Sequence, residues 1–376
     1  LVIGFMLQVM LGALIQILPV VAGANIRRPE VVAVVTHLLL LGGALALPAG
    51  FVFAWPLLLH LGASLLALAI GLFLLAGGWA LFRVPSTSPT IRGLKLALSG
   101  LFAVAVLGLF LVLALRQGTQ FSLLELTDLH AAWGLAGWSG ILLLSVAYVV
   151  VPMFQLTPGY PARAGWWYPR LIFAFLLLWT VALPLESVLL IRLAKAGLAL
   201  AGIAFCGLTL RLQSQRRRAK IDATARYWQL GLLASIIALF MMLTASIWPV
   251  WAEADSRLFF FAILLLIGGF VSFIVGMLYK IIPFLAWLHL QNRGRGLVLA
   301  PTMNKLLADK AMLRQFYAHL ACLLLLLLAV FFPTELMRVA GFSLVLSMGW
   351  LAINLMAVVR NYQMHVREID LKLPSP

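Results

Sequence analysis

Imidazole and thiol are the side chains with which a protein most readily holds a transition metal, and this 376-residue chain has six histidines and two cysteines. Cys206 and Cys322 lie far apart inside apolar runs, which leaves no disulfide framework and no Cys-x-x-Cys metal site, and makes them small core hydrophobes. His60 and His130 differ from the other histidines because both fall within two helical turns of the outer ends of their apolar runs, where they could share one site. Imidazole there could ligate haem iron, copper or zinc, with interhelical hydrogen bonding as the plain alternative. His130 opens the stretch Asp128-Leu-His130-Ala-Ala-Trp133-Gly-Leu-Ala-Gly-Trp138, in which Asp128 and Thr127 could cap a helix and the aromatics give a broad apolar wall. His37, about two turns into its run, reads as an interhelical hydrogen bonder or, more sharply, a further metal ligand. His289, His319 and His365 sit near charged joints and read as interfacial or solvated. Arg192 could hold a haem propionate or pair with Glu186.

What positions these residues is a membrane. At 64% hydrophobic, 10% charged and a mean hydropathy of +1.10, the composition excludes a soluble enzyme, a secreted disulfide module and a disordered tail. The apolar runs are too long and too little alternating for a transmembrane β-barrel, and a run of about 20 residues crosses the hydrocarbon layer as a helix. Eleven spans are predicted, near 1–22, 31–47, 54–82, 93–115, 129–157, 169–187, 193–212, 227–251, 258–290, 315–333 and 335–359. The expected fold is an all-α polytopic membrane protein, one transmembrane domain over 1–376.

The net charge of +16 suggests nucleic acid only until the cations are placed. Of 27 Lys and Arg, 21 fall in or beside alternate joints and the C-terminal tail, five in or beside the other joints, and Lys280 alone deep within a span. That asymmetry puts the C-terminus in the cytoplasm and makes the block Gln213-Ser-Gln-Arg-Arg-Arg-Ala-Lys220 a topology anchor or anionic-lipid contact; the partner implied is the bilayer, not nucleic acid. Lys280 reads as snorkelling to the inner interface, with a proton path as the sharper alternative. Trp133, Trp138, Trp166, Trp167, Trp248 and Trp251 near span ends read as an interfacial belt.

Three spans repeat one pattern. Pro19, Pro152 and Pro283 stand at the inner ends of spans 1, 5 and 9, with a small residue seven before (Gly12, Ser145, Gly276) and a bulky one four before (Ile15, Tyr148, Tyr279). Every fourth span is therefore alike, which predicts four-helix repeats near 1–128, 129–257 and 258–376 in a pseudo-threefold arrangement, and twelve helices once one is added upstream of Leu1. Gly42-Gly43, Gly77-Gly78, Gly134, Gly137, Gly140 and Gly268-Gly269 are expected to let helices approach closely.

His130-Ala-Ala-Trp-Gly followed by Val146-Ala-Tyr148-Val-Val-Val-Pro152 resembles the sixth helix of subunit I of cbb-type haem–copper oxidases. Phe270-Val-Ser-Phe-Ile-Val-Gly-Met-Leu-Tyr279-Lys-Ile-Ile-Pro283 resembles another stretch of that subunit. The resemblance implies twelve helices in three four-helix arcs and places His130, 22 residues before Pro152, on the family's copper-ligand histidine. The same offset from Pro283 gives Phe261, where the family has a His-x-His pair, and the offset from Pro19 falls upstream of Leu1. The adjacent-histidine pair of the seventh helix and the tyrosine four after His130 are also missing. These departures speak against a working terminal oxidase. The pattern is closer to that of NnrS-type nitric-oxide-response membrane proteins, which resemble reduced members of the superfamily. The implied function is that of a haem- or copper-binding, oxidase-like protein of a bacterial inner membrane, in nitric oxide response or respiratory metabolism, with a small gas ligand or redox partner. A cofactor-free transporter and an assembly subunit on the same scaffold are the alternatives.

Overall fold

The computed structural model describes residues 1–119, 121–217, 221–248, 255–295 and 297–372; Trp251 and the Arg218 to Lys220 end of the basic block lie outside them. The described residues are helical, with no strand. Eleven helices are long and apolar enough to cross a membrane: α1 (Val2–Ala22), α2 (Pro29–Val52), α3 (Pro56–Phe82), α4 (Pro89–Gln117), α5 (Leu123–Gln155), α6 (Ala162–Ala182), α7 (Val188–Ser214), α8 (Ala223–Ile247), α9 (Ser256–Arg293), α10 (Asp309–Ala329) and α11 (Pro333–Lys372). Proline at the first helical position starts α2, α3, α4 and α11, where its missing N–H has no partner to lose. Ser88 caps α4 by accepting from Ile91 N at 3.2 Å, and Asp222 caps α8 by accepting from Ala225 N at 2.9 Å.

The largest departures from the predicted ends are in α6 and α11. α6 begins at Ala162, seven residues before the predicted start, because Pro169 is accommodated inside the helix; membrane helices tolerate this where neighbours satisfy the freed carbonyl. α11 runs on from 359 to Lys372, giving 40 residues and a length of about 60 Å at 1.5 Å per residue, twice the hydrocarbon thickness. The extension is anchored: Arg293 at the end of α9 donates to both carboxylate oxygens of Asp370 at 2.7 and 2.8 Å, and Asn361 donates to Leu306 O at 2.9 Å.

The chain divides inside α7 into two compact units, Leu1–Phe205 and Cys206–Pro376. In the first, α2 and α3 form a tight hairpin. A Cβ on Gly62 would stand 2.6 Å from Leu47 N, and one on Gly50 2.7 Å from Leu59 N, so only glycine permits this approach. α4 packs along α5, and α6 closes the other side. In the second, α8 packs along α9, with α10 and α11 against them. α5 and α9 are the most buried of the eleven spans.

The three helices with the repeated proline also share a backbone irregularity. A π-helical segment covers Val2–Leu7 in α1, Trp133–Gly140 in α5 and Leu264–Val271 in α9, and each ends twelve residues before its proline. Further π segments occur at Leu18–Ala22 and Leu74–Gly78, outside this register. A glycine also recurs fifteen residues before each proline, at Gly4, Gly137 and Gly268.

The small residues of that register are contact points in α5 and α9. Gly93 of α4 lies against Ser145, and a Cβ on Gly100 would meet the carbonyl oxygen of Gly137 at 2.5 Å. In α9, a Cβ on Gly276 would meet Tyr227 Cβ at 2.9 Å, and one on Gly268 would meet Ala234 Cβ at 2.7 Å. Of the glycines expected to pack helices, Gly43, Gly137, Gly268 and Gly269 do so, whereas Gly78 meets nothing within 4 Å.

Candidate functional site

His130 stands in the third turn of α5, three residues before the π-helical segment. The helix begins at Leu123 and not at 129, so Thr127 and Asp128 do not cap it, contrary to the sequence expectation. Thr127 returns its hydroxyl to Leu123 O at 2.7 Å, and Asp128 reaches the ammonium of Lys195 on α7 at 3.5 Å. That ammonium also lies 4.6 Å from the ring centre of Trp179. The imidazole of His130 fits against α4 where Gly108 leaves room, since a Cβ there would come within 3.2 Å of His130 Cε1. Its Nδ1 is buried without a well-formed hydrogen bond, although the ring interacts with the backbone of Val104 on α4. An imidazole nitrogen in that state is costly unless water or a ligand meets it.

Trp133 and Trp138 are not belt residues. Both are 3% exposed, because the wide π turn directs them into the helix packing and away from the span end. Trp133 Nε1 donates to Thr180 Oγ1 of α6 at 2.9 Å, and its ring meets Phe173 edge-on at 5.2 Å. Trp133→Phe is therefore expected to lower thermal stability by about 1 kcal/mol, the worth of one neutral hydrogen bond. Melting of purified protein in detergent checks this, and Thr180→Val should add nothing on top of it. Trp166, Trp167 and Trp248 are exposed as expected, and Arg92 and Arg170 both stack on Trp166, at 3.4 and 4.5 Å from its centre.

The other candidates are more open. His60 is half-buried in the second turn of α3, which packs on α2 and α4. His37 is exposed on α2. Arg192 is exposed on α7 and forms no pair with Glu186. No group of three or more His, Cys, Asp or Glu side chains among the described residues is placed to share a metal ion. A copper or zinc centre built from three protein donors thus lacks its ligands there.

The second unit holds a polar string that sequence reasoning missed. His319 was expected to be solvated or snorkelling, yet it is 0% exposed. The reason is that α10 starts at Asp309, so His319 lies about three turns inside, on the face that buries Gln315, Cys322 and Leu323. Its Nε2 stands 3.0 Å from the hydroxyl of Ser272, the residue after the α9 π segment, while Nδ1 is buried without a partner. Beside it, Tyr227 of α8 hydrogen-bonds Gln315, whose amide donates to Ser347 O at 3.1 Å on α11. Asn354 donates to Tyr279 OH at 2.8 Å. The spacing of Gln315, His319 and Cys322 at i, i+4 and i+7 is the signal that could have placed them on one inward face.

Below Tyr279 lies a cavity of about 330 Å³, lined among others by Asp222, Thr224, Lys280, Asn304 and Asp309. α9 offers Lys280 no carboxylate, and the structure supplies one from another helix: Asp222 at the head of α8, 3.4 Å away. The same carboxylate accepts from Thr224 Oγ1 at 2.8 Å, and Asp309 accepts from Ala223 N at 3.3 Å. His289 lies exposed, its ring 6.5 Å from that of Tyr362, and His365 meets Glu368 at 2.9 Å, as interfacial and solvated histidines should.

No protein-family model matches the chain, and no curated protein resembles it at a significant level.

Proposed function

We propose that this chain is a haem-binding, oxidase-like integral membrane protein of a bacterial inner membrane, its C-terminus cytoplasmic, built on three four-helix repeats in a pseudo-threefold arrangement. It acts in nitric oxide response or respiratory metabolism without completing the four-electron chemistry of a terminal oxidase. The observation that supports the reading is the buried Nδ1 of His130, without a well-formed hydrogen bond, just ahead of a π-helical segment, since such irregular turns gather at functional sites. The donors support haem ahead of copper, because a porphyrin would supply most of the iron's ligands itself and need an imidazole from the protein, whereas a mononuclear copper centre would need three protein donors, a group not found among the described residues.

In this reading His130 would hold the haem iron, with His60 on α3 as the second candidate and Arg192 on α7 as a propionate partner at the surface. His37, exposed on α2, stands as the remote alternative ligand. Gly108 leaves the room on α4 that the imidazole itself fills. Trp133, held rigid by Thr180, supports the backbone of the turn that follows and keeps water from it. Bound haem would supply an iron able to take up a small gas molecule or pass an electron.

The charged cavity at Lys280 and Asp222 favours a second reading, a cofactor-free transporter, for which such a vestibule would receive a polar solute. One absorbance spectrum of protein purified from haem-replete cells separates them. A Soret band is expected, lost in His130→Ala while Trp133→Phe retains it. A colourless, iron-free preparation of well-folded protein would leave the transporter.

A further inference from the structure

Three cations of the first unit meet at one place without an acid to answer them. Arg92 and Lys95 lie in the first two turns of α4, and Arg170 lies in the third turn of α6. The heads of these helices are pressed together, since a Cβ on Gly165 would stand 2.8 Å from Pro89 Cβ. Lys95 and Arg92 share Ser86 in the link before α4. Lys95 Nζ donates to its hydroxyl at 2.9 Å and to Val84 O at 2.6 Å, and Arg92 Nε donates to its carbonyl at 2.8 Å. Arg92 and Arg170 share Trp166: both guanidinium groups lie over its ring, and Arg170 Nη1 also donates to Trp166 O at 3.2 Å.

All of these acceptors are neutral. They fix the side chains and leave the charges uncompensated, and the two terminal nitrogens of Arg92 meet no acceptor among the described residues. No carboxylate pairs with any of the three cations there either. The chain has no Asp or Glu between Glu30 and Glu125, and none between Asp128 and Glu186. Glu125, Asp128 and Glu186 stand at the far ends of α5 and α6, and Glu30 heads α2, which packs on α1 and α3. Like charges held this close repel one another until an anion joins them. An oxyanion at the edge of the Trp166 indole can accept from both guanidinium forks at once, the geometry in which arginine binds phosphate.

We infer that Arg92, Arg170 and Lys95, gathered around Trp166, form a binding site for the phosphate of an anionic phospholipid headgroup. Arg92 and Arg170 are the direct donors, and Lys95 adds charge behind them. The source is a lipid because the site stands at the ends of spans, where headgroups lie, and has exposed apolar rings beside it. Trp167 follows Trp166 and is 60% exposed, and the ring centre of Phe82, 54% exposed, is 5.8 Å from Lys95 Nζ. A zwitterionic headgroup fits less well, because its own ammonium would be brought among three cations. The site is separate from the basic block that starts at Gln213, and it uses no residue of the haem reading.

The test uses the full chain in neutral detergent, with lipid binding read by native mass spectrometry. Phosphatidylglycerol is expected to bind about tenfold more tightly than phosphatidylcholine. Arg92→Gln combined with Arg170→Gln should weaken phosphatidylglycerol about 25-fold, roughly fivefold from each interfacial cation, and leave phosphatidylcholine unchanged. Arg92→Lys keeps the charge but not the fork, and should lose several-fold. Arg27→Gln combined with Arg28→Gln removes the same charge at the head of α2 and should change neither lipid. Where the double variant does not fold, Arg170→Gln carries the test alone: this side chain is exposed, has one hydrogen bond to lose, and should cost about fivefold. Equal affinity for the two lipids, an equal loss in the Arg27 and Arg28 control, or displacement of phosphatidylglycerol by equimolar inorganic phosphate would overturn the inference.

Discussion

Gly100→Val is expected to yield almost no folded protein, and Gly100→Ala to fold with a stability lowered by about 1–3 kcal/mol, the range for forcing extra volume into a close-packed contact. A Cβ on Gly100 would stand 2.5 Å from Gly137 O, 2.6 Å from Gly137 C and 3.0 Å from Trp138 N. All three are backbone atoms, which have no rotamer by which to yield. They also belong to the π-helical segment that follows His130, so any outward shift of α5 there would move the proposed ligand as well. Gly71 provides the control. It lies inside α3 with nothing within 4 Å of its built Cβ, and Gly71→Ala should be neutral or stabilising by up to about 1 kcal/mol through helix propensity. Thermal melting followed by size exclusion in detergent reads these variants together with Gly71→Val; equal behaviour of Gly71→Val and Gly100→Val would show that α4 and α5 do not meet as described.

The second large effect is expected at Asp222, which performs two tasks that substitution can separate. Asp222→Asn keeps a good capping side chain on Ala225 N but removes the negative charge facing Lys280. The side chains of Lys280 and Asp222 are 21% and 17% exposed, so the loss should be about 1–3 kcal/mol, short of the full cost of orphaning a buried charge. Asp222→Ala removes the cap too and should cost about 1 kcal/mol more. Adding Lys280→Gln to Asp222→Asn should recover much of the loss, because the uncompensated cation is then gone. Strict additivity of the two single changes would argue that the ion pair contributes nothing.

How far such features could be read in the sequence depends on their range. Hydropathy alone located all eleven spans, because a helix in lipid has to satisfy its backbone internally and cover itself with apolar side chains, a rule that acts locally. The Pro19, Pro152 and Pro283 register was legible for the same reason. What escaped were facts settled between helices. His319 looked interfacial when judged by its neighbour Arg314, but the face it shares with Gln315 and Cys322 is buried by α8, α9 and α11. Lys280 has its carboxylate 58 residues away in sequence. Trp133 and Trp138 sit where a belt residue would, yet a π turn changes the face they present, and neither composition nor period announces that turn.

The clasp between Arg293 and Asp370 gives the second unit an unusual tolerance. With α9 and α11 tied at their basic ends by two short charge-assisted contacts, and joined further along by Asn354 and Tyr279, the link at 297–302 is not all that holds α9 to the last two helices. A protease nick there should release no fragment: the severed halves would stay together through solubilisation, like two pieces held by a buckle after the strap is cut.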